Sequence, residues 1–161
     1  MAGVTALRLS PFPSTRLNAG RISKERDMIK GSCACGAVRV EIDGTPQVLS
    51  YCHCSRCRKT AGAAAAFLIG KGSDVRVTAG QDAIKSFSPE GAVYGRFFCG
   101  ECGSALGDLG LKEGSYAITA SILDEDPGLR PAGHIFTGSK PDWYEICDGL
   151  DQYEGDFPSQ S

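Results

Sequence analysis

A mainly β domain is the fold class this sequence predicts, and three observations predict it. Glycine accounts for 21 of the 161 residues, about 13% where ~7% is usual, which disfavours long helices. Apolar and polar residues alternate over strand-length stretches. Turn chemistry recurs every ~8–12 residues, the spacing of a sandwich or barrel-like sheet.

The elements follow in order. Val38, Val40 and Ile42 alternate with Arg39 and Glu41, a half-buried strand ended by Asp43-Gly44. Gln47–Tyr51 can return as a second strand. Cys52–Cys57 is a dense polar knuckle that can run on as one helical turn to Thr60. Ala63–Ile69 reads as a buried strand, although an alanine run also suits a helix. Lys71–Asp74 is a turn, and a strand from Val75 and Val77 closes at Ala79-Gly80. Ile84–Phe87 and Val93–Phe98 form a further pair of strands around Ser88–Gly91. A second knuckle, Cys99-Gly100-Glu101-Cys102-Gly103, precedes strands at Ala105–Leu109 and Tyr116–Ala120. No phosphate-binding glycine loop or nucleophile elbow is present.

Size and charge narrow the function classes. The chain has the length of one ordinary domain. Its 17 basic and 19 acidic residues leave a formal charge of −2, with no footprint for nucleic acid or a membrane surface. No apolar run reaches the ~20 residues of a spanning helix. Residues 1–27 carry five basic and two acidic side chains, several Pro and Ser, and no sustained period. A transit peptide has such a composition. The expectation is a disordered extension, or upstream sequence before a start at Met28. The stretch from Asp142 to Asp156 holds six acids and no base, as a solvated surface would.

The cysteines carry the chemistry. Seven of the eight fall in three tight clusters: Cys33-x-Cys35, Cys52-x-Cys54-x-x-Cys57 and Cys99-x-x-Cys102. Such short loops close poorly as disulfides, but they bring two sulfurs to one ion. Cys33 and Cys35 match Cys99 and Cys102 as a four-sulfur structural zinc site, with Gly36, Gly100 and Gly103 letting the backbone curl around the ion. An extracellular disulfide protein or a set of buried thiols is the alternative, which the lack of a secretory leader disfavours; a cytoplasmic location is expected.

Cys52, Cys54 and Cys57 offer three sulfurs and no fourth, the pattern of a zinc that keeps an open position. Arg56, Arg58 and Lys59 could offset the charge of three thiolates or hold a carboxylate. Two alternatives stay open: His53, His134 or an acid completes a structural site, or the thiols are redox-active without metal. Alternation points His53 away from the metal, behind the site or at the surface. His134 is a candidate for a site role, including proton transfer. Trp143-Tyr144 is expected in the core or as a pocket wall, so His134 and Trp143 are the candidate ligand-contacting residues. Cys147 reads as a small buried hydrophobe.

Three motifs taken together resemble a known family. Gly31–Val38, Cys52-His53-Cys54-Ser55-Arg56-Cys57-Arg58-Lys59 and Phe97-Phe98-Cys99-Gly100-Glu101-Cys102-Gly103 are similar to the glutathione-dependent formaldehyde-activating enzymes, a family that includes the centromere protein V domain. His134-Ile135-Phe136, Lys140–Glu145 and Asp148-Gly149-Leu150 extend the likeness, which covers about residues 28–158. The resemblance implies a mostly β, Mss4-like fold of zinc-stabilised antiparallel sheets with short helical turns. It implies two Zn²⁺: a structural ion on Cys33, Cys35, Cys99 and Cys102, and a catalytic ion on Cys52, Cys54 and Cys57. It implies a carbon–sulfur lyase joining or splitting a small aldehyde and a thiol such as glutathione; the near-neutral charge is what leaves no nucleic-acid or membrane partner expected. A non-catalytic zinc-stabilised interaction module is the alternative from another class. A methionine-sulfoxide-reductase-like redox enzyme is a third, and only Cys147 could serve it as the free thiol.

Overall fold

Two sheets divide the apolar residues of this chain between them. The computed structural model describes residues 28–88, 90, 95–111 and 114–158. The extension expected over residues 1–27 and the beginning of the strand expected from Val93 lie outside the described residues. In chain order the elements are β1 (Ile29–Ser32), β2 (Arg39–Ile42), β3 (Val48–Cys52), α1 (Ser55–Ala61), β4 (Ala65–Lys71), β5 (Val75–Ala79), β6 (Ile84–Phe87), β7 (Arg96–Cys99), β8 (Ala105–Asp108), β9 (Ser115–Thr119) and β10 (His134–Ile135). The fold is mainly β and antiparallel, with one short α-helix and a few 3₁₀ turns.

The small sheet has the order β1-β2-β5, and the large one β10-β3-β4-β9-β8-β7-β6. Only the two-residue β10 pairs in parallel, His134 opposite Tyr51 and Ile135 opposite Cys52. Side chains alternate across each strand, so register decides which face they cover. Leu49, Leu68 and Ile118 stand in one row across β3, β4 and β9. They pack with Ile29, Val38, Val40 and Ile42 of the small-sheet side to form the main core. Burying Leu68 alone is worth about 1.5–3 kcal/mol. The close approach of β8 to the β9 backbone requires a glycine. Gly107 has φ +85°, and a Cβ there would lie 2.2 Å from the Ala117 carbonyl oxygen.

The opposite face of the large sheet carries a second, smaller cluster. Cys52, Cys57, Ala65, Phe67 and Ile135 pack there with Ile69, Ala117 and Phe136. That face receives the chemistry, because the small sheet covers the other one.

Candidate metal centre

The four-cysteine cluster is built by two hairpin knuckles of the same design. In the β1–β2 turn the Cys33 amide donates to Val38 O, and the Gly36 amide to Cys33 O. In the β7–β8 turn the Cys99 amide donates to Ser104 O, and the Gly103 amide to Cys99 O. Gly36 and Gly103 both adopt positive φ, at +73° and +75°, which is how so tight a curl is made. The four Sγ atoms lie within 4.8 Å of one another. Cys33 and Cys35 sulfurs are 3.5 Å apart, and Cys35 and Cys99 sulfurs 3.9 Å. A tetrahedron of Zn–S bonds of ~2.3 Å has edges of about 3.8 Å, so these sulfurs fit zinc. Amide donors face the cluster: Val38 N–H reaches Cys33 Sγ at 3.2 Å. Hydrogen bonds from the Ser104 hydroxyl and then its amide hold the Cys102 thiol down to about 5.

The three-cysteine cluster comes from a single corner. Cys52 ends β3, and Cys54 caps α1 by accepting the Cys57 amide at 3.4 Å. One helical turn returns Cys57 to the same side, and the three sulfurs also lie within 4.8 Å of one another. Hydrogen bonds from Cys52 and then Cys57 hold the Cys54 thiol far below the ordinary range. Cys54 first and then Cys57, with burial, push Cys52 far up. Three sulfurs this close cannot all ionise unaided, and a divalent cation resolves the conflict. Among the described residues no His, Asp or Glu atom completes the cluster as a fourth ligand.

A pocket of about 380 Å³ opens over these sulfurs. Its apolar wall is Phe67, Ile69, Ala117, Ile135 and Phe136, and its polar members include Arg56, Arg96 and Asp156. Phe136 is held at φ +55°, the one described non-glycine residue with positive φ, a strained backbone of the kind found at binding sites. Arg96 Nη2 approaches Cys57 Sγ at 3.6 Å, while its buried Nε has no partner. This arginine was not singled out in the sequence, since nothing local ties β7 to a cysteine 39 residues away. Of the basic residues that were, Arg56 lines the pocket and Lys59 is exposed. Arg58 instead braces the backbone, donating to His53 O and Ser139 O at 3.3 Å each.

His53 is fully buried and faces away from the pocket, with Tyr51 and His134. Burial first, then the neighbouring His134, lowers its pKa and keeps it neutral. His134 is buried as well, and does not line the cysteine pocket. Its ring lies between His53 at 2.8 Å and the Asp148 carboxylate at 2.9 Å. Trp143 is 72% exposed and outside the pocket; core packing is corrected for it. Cys147 is exposed too, not buried as its type suggested. Both belong to the acidic stretch, where an acid stands at about every third residue and favours exposure.

The chain that builds these two clusters has relatives among known proteins. The model of the "Glutathione-dependent formaldehyde-activating enzyme" family matches residues 28–139. The chain belongs to this family. A Halomonas elongata protein, provisionally named a glutathione-dependent formaldehyde-activating enzyme, is 33% identical over 129 residues, 74% of this chain and 81% of that one. A crystal structure of a Rhodobacter sphaeroides protein is similar at 27% identity with a TM-score of 0.50, covering 63% of this chain and 91% of that chain. Among the described residues of this family member, no helix is long and apolar enough to cross a membrane.

Proposed function

We propose that the protein is a zinc-dependent carbon–sulfur lyase that joins or splits a small aldehyde and a low-molecular-weight thiol, glutathione being the thiol the family name indicates. The observation that carries this reading is the three-sulfur cluster, without a fourth protein ligand among the described residues, set at the floor of a pocket. Cys33, Cys35, Cys99 and Cys102 would hold the structural zinc, and Cys52, Cys54 and Cys57 the second one. Zinc at the second position would supply Lewis acidity that favours the thiolate over the thiol of an incoming ligand.

The chain's own residues supply the rest. Arg96 places a cation beside Cys57, and Arg56 a second one at the pocket wall, which offsets three thiolates and favours an anionic guest. Phe67, Ile69, Ile135 and Phe136 exclude water from the reacting atoms. In the synthetic direction the thiolate sulfur donates an electron pair to the aldehyde carbon. The C–S bond forms, and the former carbonyl oxygen takes a proton. The reverse reaction returns that proton and breaks the same bond. The reading places the protein in the cytoplasm, since clustered thiols suit a reducing compartment.

The test follows formaldehyde and glutathione by NMR line exchange with the full chain loaded with two zinc ions. Wild type should accelerate the appearance of S-(hydroxymethyl)glutathione, and Cys54→Ser should return it to the buffer rate. A fully loaded wild-type protein that leaves the exchange at the buffer rate would refute the activity.

A further inference from the structure

The back of the three-cysteine cluster carries a feature that the pocket chemistry leaves unused. His53 stands between two of the three sulfur-bearing residues, Cys52 and Cys54. Its backbone is held twice, by its own amide donating to Ile135 O at 3.0 Å and by its carbonyl accepting from Arg58 Nε at 3.3 Å. Its ring is held a third time, Nε2 to His134 Nδ1 at 2.8 Å. His134 continues through Nε2 to Asp148, whose oxygens lie at 2.9 and 3.1 Å. The Asp148 carboxylate is in turn oriented by the Leu150 amide at 3.1 Å. Tyr51 stacks on the His134 ring with centroids 4.9 Å apart, and Tyr144 flanks His53 at 5.5 Å.

Proton positions in this chain follow from its ends. An ionised carboxylate only accepts, so His134 carries its hydrogen on Nε2. With His134 neutral, its Nδ1 is a bare acceptor and His53 Nε2 is the donor. One arrangement of donors satisfies both contacts with two neutral rings. Two rings buried against each other, ending in a carboxylate that is 43% exposed, make a directional link from the surface to the rear of the cluster.

The geometry points to His53, His134 and Asp148 as a positioning strut that fixes the spread of the Cys52 and Cys54 sulfurs at the second metal centre. Cys52 and Cys54 are one residue either side of His53, so a rotation of this corner moves both sulfurs together. The strut resists that rotation at the only ring it has available. Partners behind metal ligands commonly change affinity by 10- to 100-fold, although here the bond is made through the residue between two ligands rather than by a ligand itself. None of the three residues lines the cysteine pocket. The inference rests on the reading of Cys52, Cys54 and Cys57 as a metal centre, but on no part of the aldehyde chemistry.

The test uses the full chain stripped of metal, kept reduced and titrated with Co²⁺ alone, reading the sulfur-to-cobalt and d–d absorption bands. Wild type should take up two equivalents. In Asp148→Ala the second equivalent should bind about tenfold or more weakly, with shifted d–d bands. The first equivalent, on the four-cysteine site, should be unchanged and serves as the internal control for folding. Asp148→Glu should restore part of the loss, because it returns an acceptor to His134. His134→Gln should act in the same direction; if it fails to fold, the exposed Asp148 position carries the test. Two equivalents bound with unchanged affinity and bands in Asp148→Ala would overturn the strut alone. A wild-type chain that binds only one equivalent would overturn the strut together with the metal reading beneath it.

Discussion

The two cysteine clusters differ in what they connect. The four-cysteine cluster joins the β1–β2 knuckle of the small sheet to the β7–β8 knuckle of the large one, with Cys35 and Cys99 64 residues apart. The three-cysteine cluster is confined to the corner between β3 and α1, within six residues. An ion in the first closes a long loop and holds two sheets in place, so its binding energy becomes folding energy. An ion in the second closes almost no loop. It would sit on a face already held by the pairing of β3, β4 and β9, so its loss should leave that framework intact. On the proposed reading, two sets of the same ligand atom divide into a fastener and a workplace by topology.

The sharpest way to break this contrast is to remove one sulfur from each set. Cys99 is fully buried, and Cys99→Ser should abolish the cooperative unfolding transition, since losing a structural zinc outweighs a net stability of ~5–15 kcal/mol. Cys54→Ser should lower the zinc content from two to one while keeping unfolding free energy within about 1–2 kcal/mol of wild type. Metal analysis and urea unfolding on the two purified variants check both outcomes. Equal loss of structure in the two would show that both clusters are fasteners.

Smaller effects sharpen the account of the second cluster. Arg96→Gln removes the cation beside Cys57 without emptying the site, and should raise the KM for the thiol by about tenfold, the size of one charge-assisted hydrogen bond. Steady-state kinetics at fixed formaldehyde read this directly. The smallest effect concerns Asp148. The Leu150 amide, and then His134, hold its carboxyl below the ordinary carboxylate range. Its folded pKa is depressed, so its contribution is present above pH ~4 and lost as pH falls through the folded value. Wild type should therefore exceed Asp148→Asn in thermal stability at pH 6, and the difference should shrink below about pH 4.

Much of the fold was legible wherever local pattern decides. The alternation at Val38–Ile42, the helical turn after Cys54 and the strands at Ile84–Phe87 and Ala105–Leu109 all have counterparts in the structure. The strands that were missed have no local signal. β1 reads Ile-Lys-Gly-Ser, and β10 is two residues long and exists because it lies beside β3. The same distinction separates the site residues. Cysteine spacing is written in the chain, so both clusters could be read from it. The pairing of Arg96 with Cys57 and of Asp148 with His134 could not, because each forms only in the folded chain, across 39 and 14 residues. Trp143 and Cys147 are residue types that favour burial, yet both lie exposed within the acidic stretch.

The division between the clusters is tested most directly by adding glutathione to the fully cobalt-loaded protein and recording its absorption spectrum. The account predicts a saturable change in the bands that Cys54→Ser lacks, with the remaining four-cysteine spectrum unmoved. A spectrum indifferent to millimolar glutathione, or one that changes equally in Cys54→Ser, would contradict it.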